Sequence, residues 1–356
     1  MSISKATAVI DLAAISNNFA MAQDFAPNSK IMAIIKADAY GHGLVPVARC
    51  LESADALGVA RIEEAVILRE ANIQTPITLL EGVLDSRELE IAKILRLDLV
   101  IHSGHQISML KKEKGIGIWL KLETGMHRLG LPSEDLEDSL SRLEGHHIRG
   151  IMGHLSDADQ KESSIVGNQL AHFLDATQAL AWKRSIANSA AILGYPRTQL
   201  EWVRPGLMLY GATPFADLVP IVRLKAAMSL SAPIISIKSL QSGDSVGYGS
   251  LWKAEKNCRI AVVAIGYADG YPREVATGTP VLINNKRRRL VGRVSMDMLT
   301  VELEDEDDVS IGSQVGLWGK KLPIEEISDC AGTIPYTLMC AVSNRIPREY
   351  TGSPGH

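Results

Sequence analysis

The chain has 356 residues, 46% of them hydrophobic and 22% charged, with a formal net charge of −4. That is the make-up of an ordinary globular protein. No apolar run approaches the roughly 18 residues that span a bilayer, and the acidic balance argues against general attraction to nucleic acid. Cys50, Cys258, Cys330 and Cys340 show no CxxC spacing and no adjacent histidines, so neither a zinc site nor a disulfide framework is expected, and no metal is called for.

The first stretch, MSISKATAVIDLAAIS, has one lysine but neither a long apolar core nor a small-residue cleavage site. No secretory signal is therefore expected, and the expected location is the cytoplasm. The first strong strand is IMAII, residues 31–35, a continuous apolar run of the kind buried on both faces. It ends abruptly in Lys36, Asp38 and Tyr40, with Gly41 and Gly43 punctuating a turn. A lysine carried into apolar surroundings has its ammonium destabilised, so it can act as an amine nucleophile, a Schiff-base former or a general base. A lone lysine at a strand end more often simply extends its stem along the surface.

Seven more apolar runs follow, each after a longer amphipathic segment: 55–60, 76–82, 97–103, 117–124, 148–155, 184–189 and 201–211. Residues 62–71 place Ile62, Ala65, Val66 and Arg69 at helical spacing, so the connections read as helices. Eight alternating units predict an α/β protein with a (β/α)8 TIM-type barrel over residues 1–225. The first ten or so residues are free to pack with the β domain that follows.

From about residue 226 the texture changes to short β-branched runs divided by Gly, Pro, Asn and Asp, which predicts a C-terminal all-β domain over 226–356. The boundary is expected near 220–228, and one helix is expected at 322–330. The basic run 286–289 reads as a solvated hairpin and the acidic run 302–308 as a solvated loop.

In a barrel, the strands' C-terminal ends converge on one rim. That rim would gather Lys36, Tyr40, Lys121, Arg128, His154, Asn188, Ser189, Arg204 and Gly206. The cluster is cationic in an acidic chain, which suits an anionic ligand, with Ser189 and the backbone at Gly206 able to donate to a phosphate. A phosphate beside a lysine amine suggests pyridoxal phosphate.

The blocks IIKADAYGHG, LKLETGMHRLG, ANSAA, VRPGLMLYG, GYADGYPR and VGRVSMDM, in that order, resemble the bacterial alanine racemase family over residues 1 to about 348. The resemblance implies a pyridoxal 5′-phosphate enzyme that interconverts L-alanine and D-alanine by a two-base mechanism. Lys36 would carry the cofactor and act on one face of the substrate Cα, and Tyr267 on the other. Tyr40, His154, Asn188, Ser189, Arg204, Gly206 and Leu207 would bind the cofactor, with Arg204 facing its ring nitrogen and His154 joined to Arg204. Arg128 and Met296 would bind the substrate carboxylate, supported by Asp297 and by Lys121, a position often carbamylated in the family. A homodimer is implied, each subunit lending Tyr267 and Met296 to its partner. One departure stands at Asn344, where some members place a tyrosine that contacts the phosphate. A basic amino acid decarboxylase, a non-catalytic pyridoxal phosphate carrier and a racemase of wider specificity are the rival readings.

Overall fold

A computed structural model describes residues 5–110, 114–215 and 224–352. The expected domain boundary at 220–228 falls partly outside them. The described chain opens with β1 (Thr7–Asp11) and α1 (Leu12–Phe25), whose first turn is capped by the Asp11 carboxylate accepting from the Ala14 N–H at 3.0 Å.

Eight strands then close into a parallel barrel: β2 (Lys30–Ile34), β3 (Ala56–Val59), β4 (Ile77–Leu79), β5 (Asp98–Ile101), β6 (Gly117–Lys121), β7 (His147–Met152), β8 (Lys183–Asn188) and β9 (Trp202–Arg204). The last pairs back onto the first through Lys30–Trp202 and Ile31–Val203. All eight apolar runs read from the sequence are strands of this barrel. Their burial on both faces is what the near-continuous hydrophobic runs required, as in β3 and β4, where every residue is buried. The helices between them are α2 (Lys36–Gly41), α3 (Leu44–Cys50), α4 (Ile62–Glu70), α5 (Ser86–Ile94), α6 (Gly104–Met109), α7 (Leu136–Arg142), α8 (Ser164–Thr177) and α9 (Ser189–Gly194).

The remainder is mostly β: β10 (Met228–Leu240), β11 (Ser245–Val246), β12 (Trp252–Lys253), β13 (Cys258–Val263), β14 (Pro280–Ile283), β15 (Lys286–Arg289), β16 (Leu299–Leu303), β17 (Gln314–Trp318) and β18 (Arg348–Thr351). The long strand β10 pairs with β1 and β17 over its first half. It then shifts register between Ile234 and Ser236 and continues along β13. β1 lies between β10 and β18, so the first strand of the chain belongs to this sheet and not to the barrel. Two helices, α10 (Ile324–Cys330) and α11 (Pro335–Ala341), stand where the sequence predicted one. Pro335 at the first turn of α11 begins a helix that its apolar pattern alone is too short to announce.

The basic run 286–289 is a mostly exposed hairpin strand and 304–308 a mostly exposed loop, as the solvated reading expects, but one pair between them, Arg288 and Asp307, is buried. Asn284 and Asn285, both at positive φ, make the hairpin turn that places β15 beside the acids. Arg287 then meets Glu326, Arg288 meets Asp307 and Arg289 meets Glu302, each at 2.5 Å. The Asp307 side chain is only 2% exposed. Burial pushes its pKa up, but the Arg288 guanidinium and the Glu304 N–H outweigh that and hold it below 3.8. Removing one partner of such a pair strands the other. Arg288→Ala should therefore cost about 3 kcal/mol of stability at pH 7. A depressed carboxylate contributes fully above its unfolded pKa, so the loss should fade below pH 3.8 as Asp307 is protonated. Thermal unfolding of both proteins between pH 3 and 7 measures this.

Candidate functional site

Each barrel strand delivers its last residues to the same rim. Lys36 follows β2 by two residues and begins α2; Lys121 ends β6; Arg204 ends β9; Asn188 ends β8 and Ser189 begins α9. Arg128 lies in the loop after β6. That loop is folded back by the Glu123 carboxylate, which accepts from the N–H groups of Gly125 and Met126 at 2.6 and 2.7 Å. The Leu122–Leu131 bridge closes its base. His154 stands two residues beyond β7, its carbonyl accepting from the Thr124 hydroxyl at 2.9 Å.

Arg204 is 6% exposed. It donates to the Ser185 hydroxyl and the Gly153 carbonyl, both at 2.5 Å, and approaches His154 Nδ1 at 3.4 Å. Arginine only donates, so this contact requires the His154 proton on Nε2. Burial first, then Arg204, Lys121, Arg128 and Lys36, lower the His154 pKa well below 6.5, so the ring is neutral. Burial also lowers the pKa of Arg204, to about 10, which leaves it charged at neutral pH.

The two lysines feel the same crowding. Burial followed by the Arg128 charge lowers the Lys36 pKa, against the opposing pull of Glu81 and Glu64. Lys121 is lowered to about 8 by burial, Arg204, Arg128 and Lys36, with Glu123 in partial opposition. An electrostatically linked cluster of Lys36, Lys121, Arg128, His154 and Arg204 is the result.

Beside it lies a polar cradle. The Ser189 oxygen accepts from the N–H groups of Gly206 and Met208 at 2.8 and 3.2 Å, leaving its own proton to donate elsewhere. A Cβ at Gly206 would stand 2.6 Å from the Tyr40 hydroxyl oxygen, so only glycine permits that approach. Leu207 follows, buried in the core. Asn188 is placed differently from the others: its side chain accepts from the Ala191 N–H at 3.0 Å and caps α9.

Tyr40 owes its position to an unusual turn. Ala37, Asp38, Ala39 and Tyr40 all have φ between 52° and 54° and ψ between 41° and 54°. Left-handed geometry costs an L-residue about 1–2 kcal/mol, so four in succession are a large local expense. The Tyr40 ring stacks on Tyr210 with centroids 4.7 Å apart and stands 5.7 Å from Tyr336 of α11.

Tyr267, Met296 and Asp297 form a second cluster, on the β domain. Tyr267 N–H donates to Ser295 O at 3.1 Å and Ala268 N–H to Met296 O at 2.9 Å, so the two sequence blocks pack on each other. Gly266 is required there because a Cβ would lie 2.3 Å from Ser295 O. Arg345 bridges Asp297 at 2.8 Å and Asp269 at 3.4 Å. Among the described residues, no hydrogen bond, ion pair or ring contact joins Tyr267 or Met296 to Lys36. Asn344 is exposed.

Residues 10–214 match the family described as alanine racemase, N-terminal domain, and residues 227–350 match alanine racemase, C-terminal domain. The chain belongs to the alanine racemase family. The alanine racemase of Nitrosococcus oceani is 44% identical over 349 residues, covering 96% of this chain and 98% of that one. The crystal structure of biosynthetic alanine racemase from Pseudomonas aeruginosa shares the fold with a TM-score of 0.94 and 42% identity, over 98% of this chain and all of that one. Alanine racemase from Bartonella henselae, a structure with covalently bound pyridoxal phosphate, is 29% identical with a TM-score of 0.91, again over 98% of this chain and all of its own.

For a member of this family, the chain carries several rim residues that its motifs did not single out. Ser185 was hidden because a serine inside a strand gives no signal of the arginine opposite it. Glu64 lies in an ordinary helical pattern, and only its place three residues after the N-cap Arg61 hinted at a capping carboxylate. Tyr336 sits in the helix that the sequence did not resolve. Burial, with the crowding of cations behind it, predicts that amine acylation of Lys121, in protein free of bound anions, follows a pH midpoint near 8 and not 10.5. Arg128→Ala should move that midpoint upward. Mass-spectrometric peptide labelling across pH 6–11 reads both.

Proposed function

We propose that this chain binds pyridoxal 5′-phosphate at the rim of the barrel and interconverts L-alanine and D-alanine, with Lys36 and Tyr267 as bases on opposite faces of the substrate. The observation that carries the reading is Lys36, an amine of lowered pKa, set among Lys121, Arg128 and Arg204 at a cradle of hydroxyl and backbone groups. Arg204 is buried, Lys36 and Lys121 are half-buried and Arg128 is exposed beside them, an excess of positive charge that a phosphate with a substrate carboxylate would neutralise.

The donor set fits the cofactor. Tyr40, Ser189, Gly206 and Leu207 would hold the phosphate, and Asn188 fixes the start of the helix that presents Ser189. Arg204 would face the ring nitrogen. It donates a hydrogen bond but does not surrender its proton, and its ties to Ser185, Gly153 and His154 keep it in place. When bound, the cofactor supplies an electron sink that weakens the bond from Cα to hydrogen.

The chain's own part is proton movement and orientation. The Lys36 Nζ takes or returns the proton on one face of Cα, and the Tyr267 hydroxyl does so on the other, because inversion requires two groups on opposite sides. Arg128 would orient the substrate carboxylate, with Lys121 beside it and Met296 closing the pocket from the far side.

The separation of the Tyr267 cluster from Lys36 supports a shared site in a homodimer. Tyr248, Leu251, Tyr267, Met296 and Met298 are all at least 40% exposed, a run of large apolar side chains that suits coverage by a second copy. Residues 226–356 would then form the unit that reaches into the partner, with Arg345 and Asp297 fixing the Met296 loop.

Lys36→Ala should abolish covalent cofactor capture and lower racemisation by at least about 10³-fold. Tyr267→Phe should keep the cofactor while slowing conversion of L-alanine by about 10²–10⁴-fold. Polarimetry with a stereospecific D-alanine assay measures both. Unchanged racemisation by Tyr267→Phe would remove that residue from the reaction.

A further inference from the structure

The residues after Lys36 hold the longest left-handed run among the described residues, four consecutive positions from Ala37 to Tyr40. Such geometry persists only where surrounding contacts over-determine it. Here the contacts are on both sides. His42 Nδ1 lies 3.1 and 2.9 Å from the carbonyls of Ala39 and Tyr40, which only accept, so Nδ1 carries the proton. Asp38 accepts from the Leu44 N–H at 2.7 Å, and Arg348 Nε donates to Gly41 O at 3.2 Å. These four contacts hold the far end of the turn.

At the near end the Ala39 N–H donates to Ile35 O at 2.9 Å, and one side chain adds a second hold. Glu64 Oε1 accepts from the Ala37 N–H at 2.6 Å, while its Oε2 accepts from the N–H groups of Ala60 and Arg61 at 2.9 and 3.1 Å. Ala37 is bonded directly to Lys36. A single carboxylate thus ties the residue after the lysine to the entrance of α4, a rigid part of the barrel. We propose that Glu64 is a positioning residue: by clamping the Ala37 N–H it forces the left-handed turn to start at once and so aims the Lys36 side chain into the cationic pocket. The Glu64 charge acts the other way on reactivity, because it favours the Lys36 ammonium over the nucleophilic free amine, so losing that charge cannot account for slower capture. This proposal rests on Lys36 being the residue that captures pyridoxal phosphate.

Glu64→Gln is the informative change. Glutamine has one acceptor oxygen where glutamate has two, so either Ala37 or the Ala60 and Arg61 pair must face an amide donor. The pair offers two hydrogen bonds and wins, and the Ala37 clamp is lost. Ala37→Gly provides the rescue, because glycine enters the left-handed region without a clamp.

The apo forms of wild type, Glu64→Gln and Glu64→Gln/Ala37→Gly should be mixed with pyridoxal phosphate. The rate of cofactor capture is followed by absorbance, trapped with borohydride and mapped by peptide mass, with thermal unfolding of each apo protein alongside. Capture by Glu64→Gln should be slower by about tenfold or more at a nearly unchanged melting temperature, and the double variant should recover most of the rate. Equal capture by Glu64→Gln and wild type overturns the proposal, as does slow capture that tracks a fall in melting temperature and is not rescued. Trapping at a residue other than Lys36 in wild type would instead overturn the assignment of Lys36.

Discussion

Lys36, Lys121, Arg128 and Arg204 repel one another, and nothing in their own chemistry would bring them together. Two like charges 4 Å apart near a protein surface oppose each other by on the order of 4 kcal/mol. What holds them is closure of the barrel. Eight short parallel strands, buried on both faces, fix where every strand ends, and the hydrophobic packing that closes the cylinder is paid for by none of the rim residues. The rim can therefore hold an arrangement that is unfavourable by itself. Its lowered lysine pKa values and its neutral His154 are consequences of burial first and of that enforced proximity second.

A second constraint joins the barrel to the β domain. α11 lies against the left-handed turn, with Met339 O so close to Gly41 that a Cβ there would stand 2.3 Å away. Just beyond, Ala341 O packs equally tightly on Gly270, the Ser343 N–H donates to Asp269 O, and Arg345 bridges Asp269 and Asp297. One short segment, 339–345, thus touches the turn that follows Lys36 and also braces the loop that carries Tyr267. The glycines at 41, 266 and 270 are what let these backbones meet. Displacement of this segment would disturb both clusters together.

Much of this was legible in the sequence, for reasons that differ by element. The barrel strands showed themselves because a strand buried on both faces must be apolar throughout. The rim residues followed from where those runs stopped. Long-range pairings were not legible. The first ten or so residues could be read as free to join the β domain, but the register of β1 with β10 and β18 depends on residues far along the chain. The run 286–289 is solvated as it reads, but the burial of Arg288 against Asp307 was not legible, because that partner lies 19 residues away. The left-handed turn was invisible for a different reason: Ala37, Asp38 and Ala39 have no preference for that geometry, which is imposed by Glu64, His42 and Arg348 from outside the segment.

The account's central claim is that a complete site takes Lys36 from one copy and Tyr267 from another. Complementation tests it directly. Lys36→Ala and Tyr267→Phe chains carrying different tags would be co-expressed, and the mixed dimer isolated through both tags. A shared site predicts about half the wild-type activity per dimer, since one of its two sites would hold an intact pair. A mixed dimer no more active than its two parent variants, or failure to recover any mixed dimer, would contradict the account.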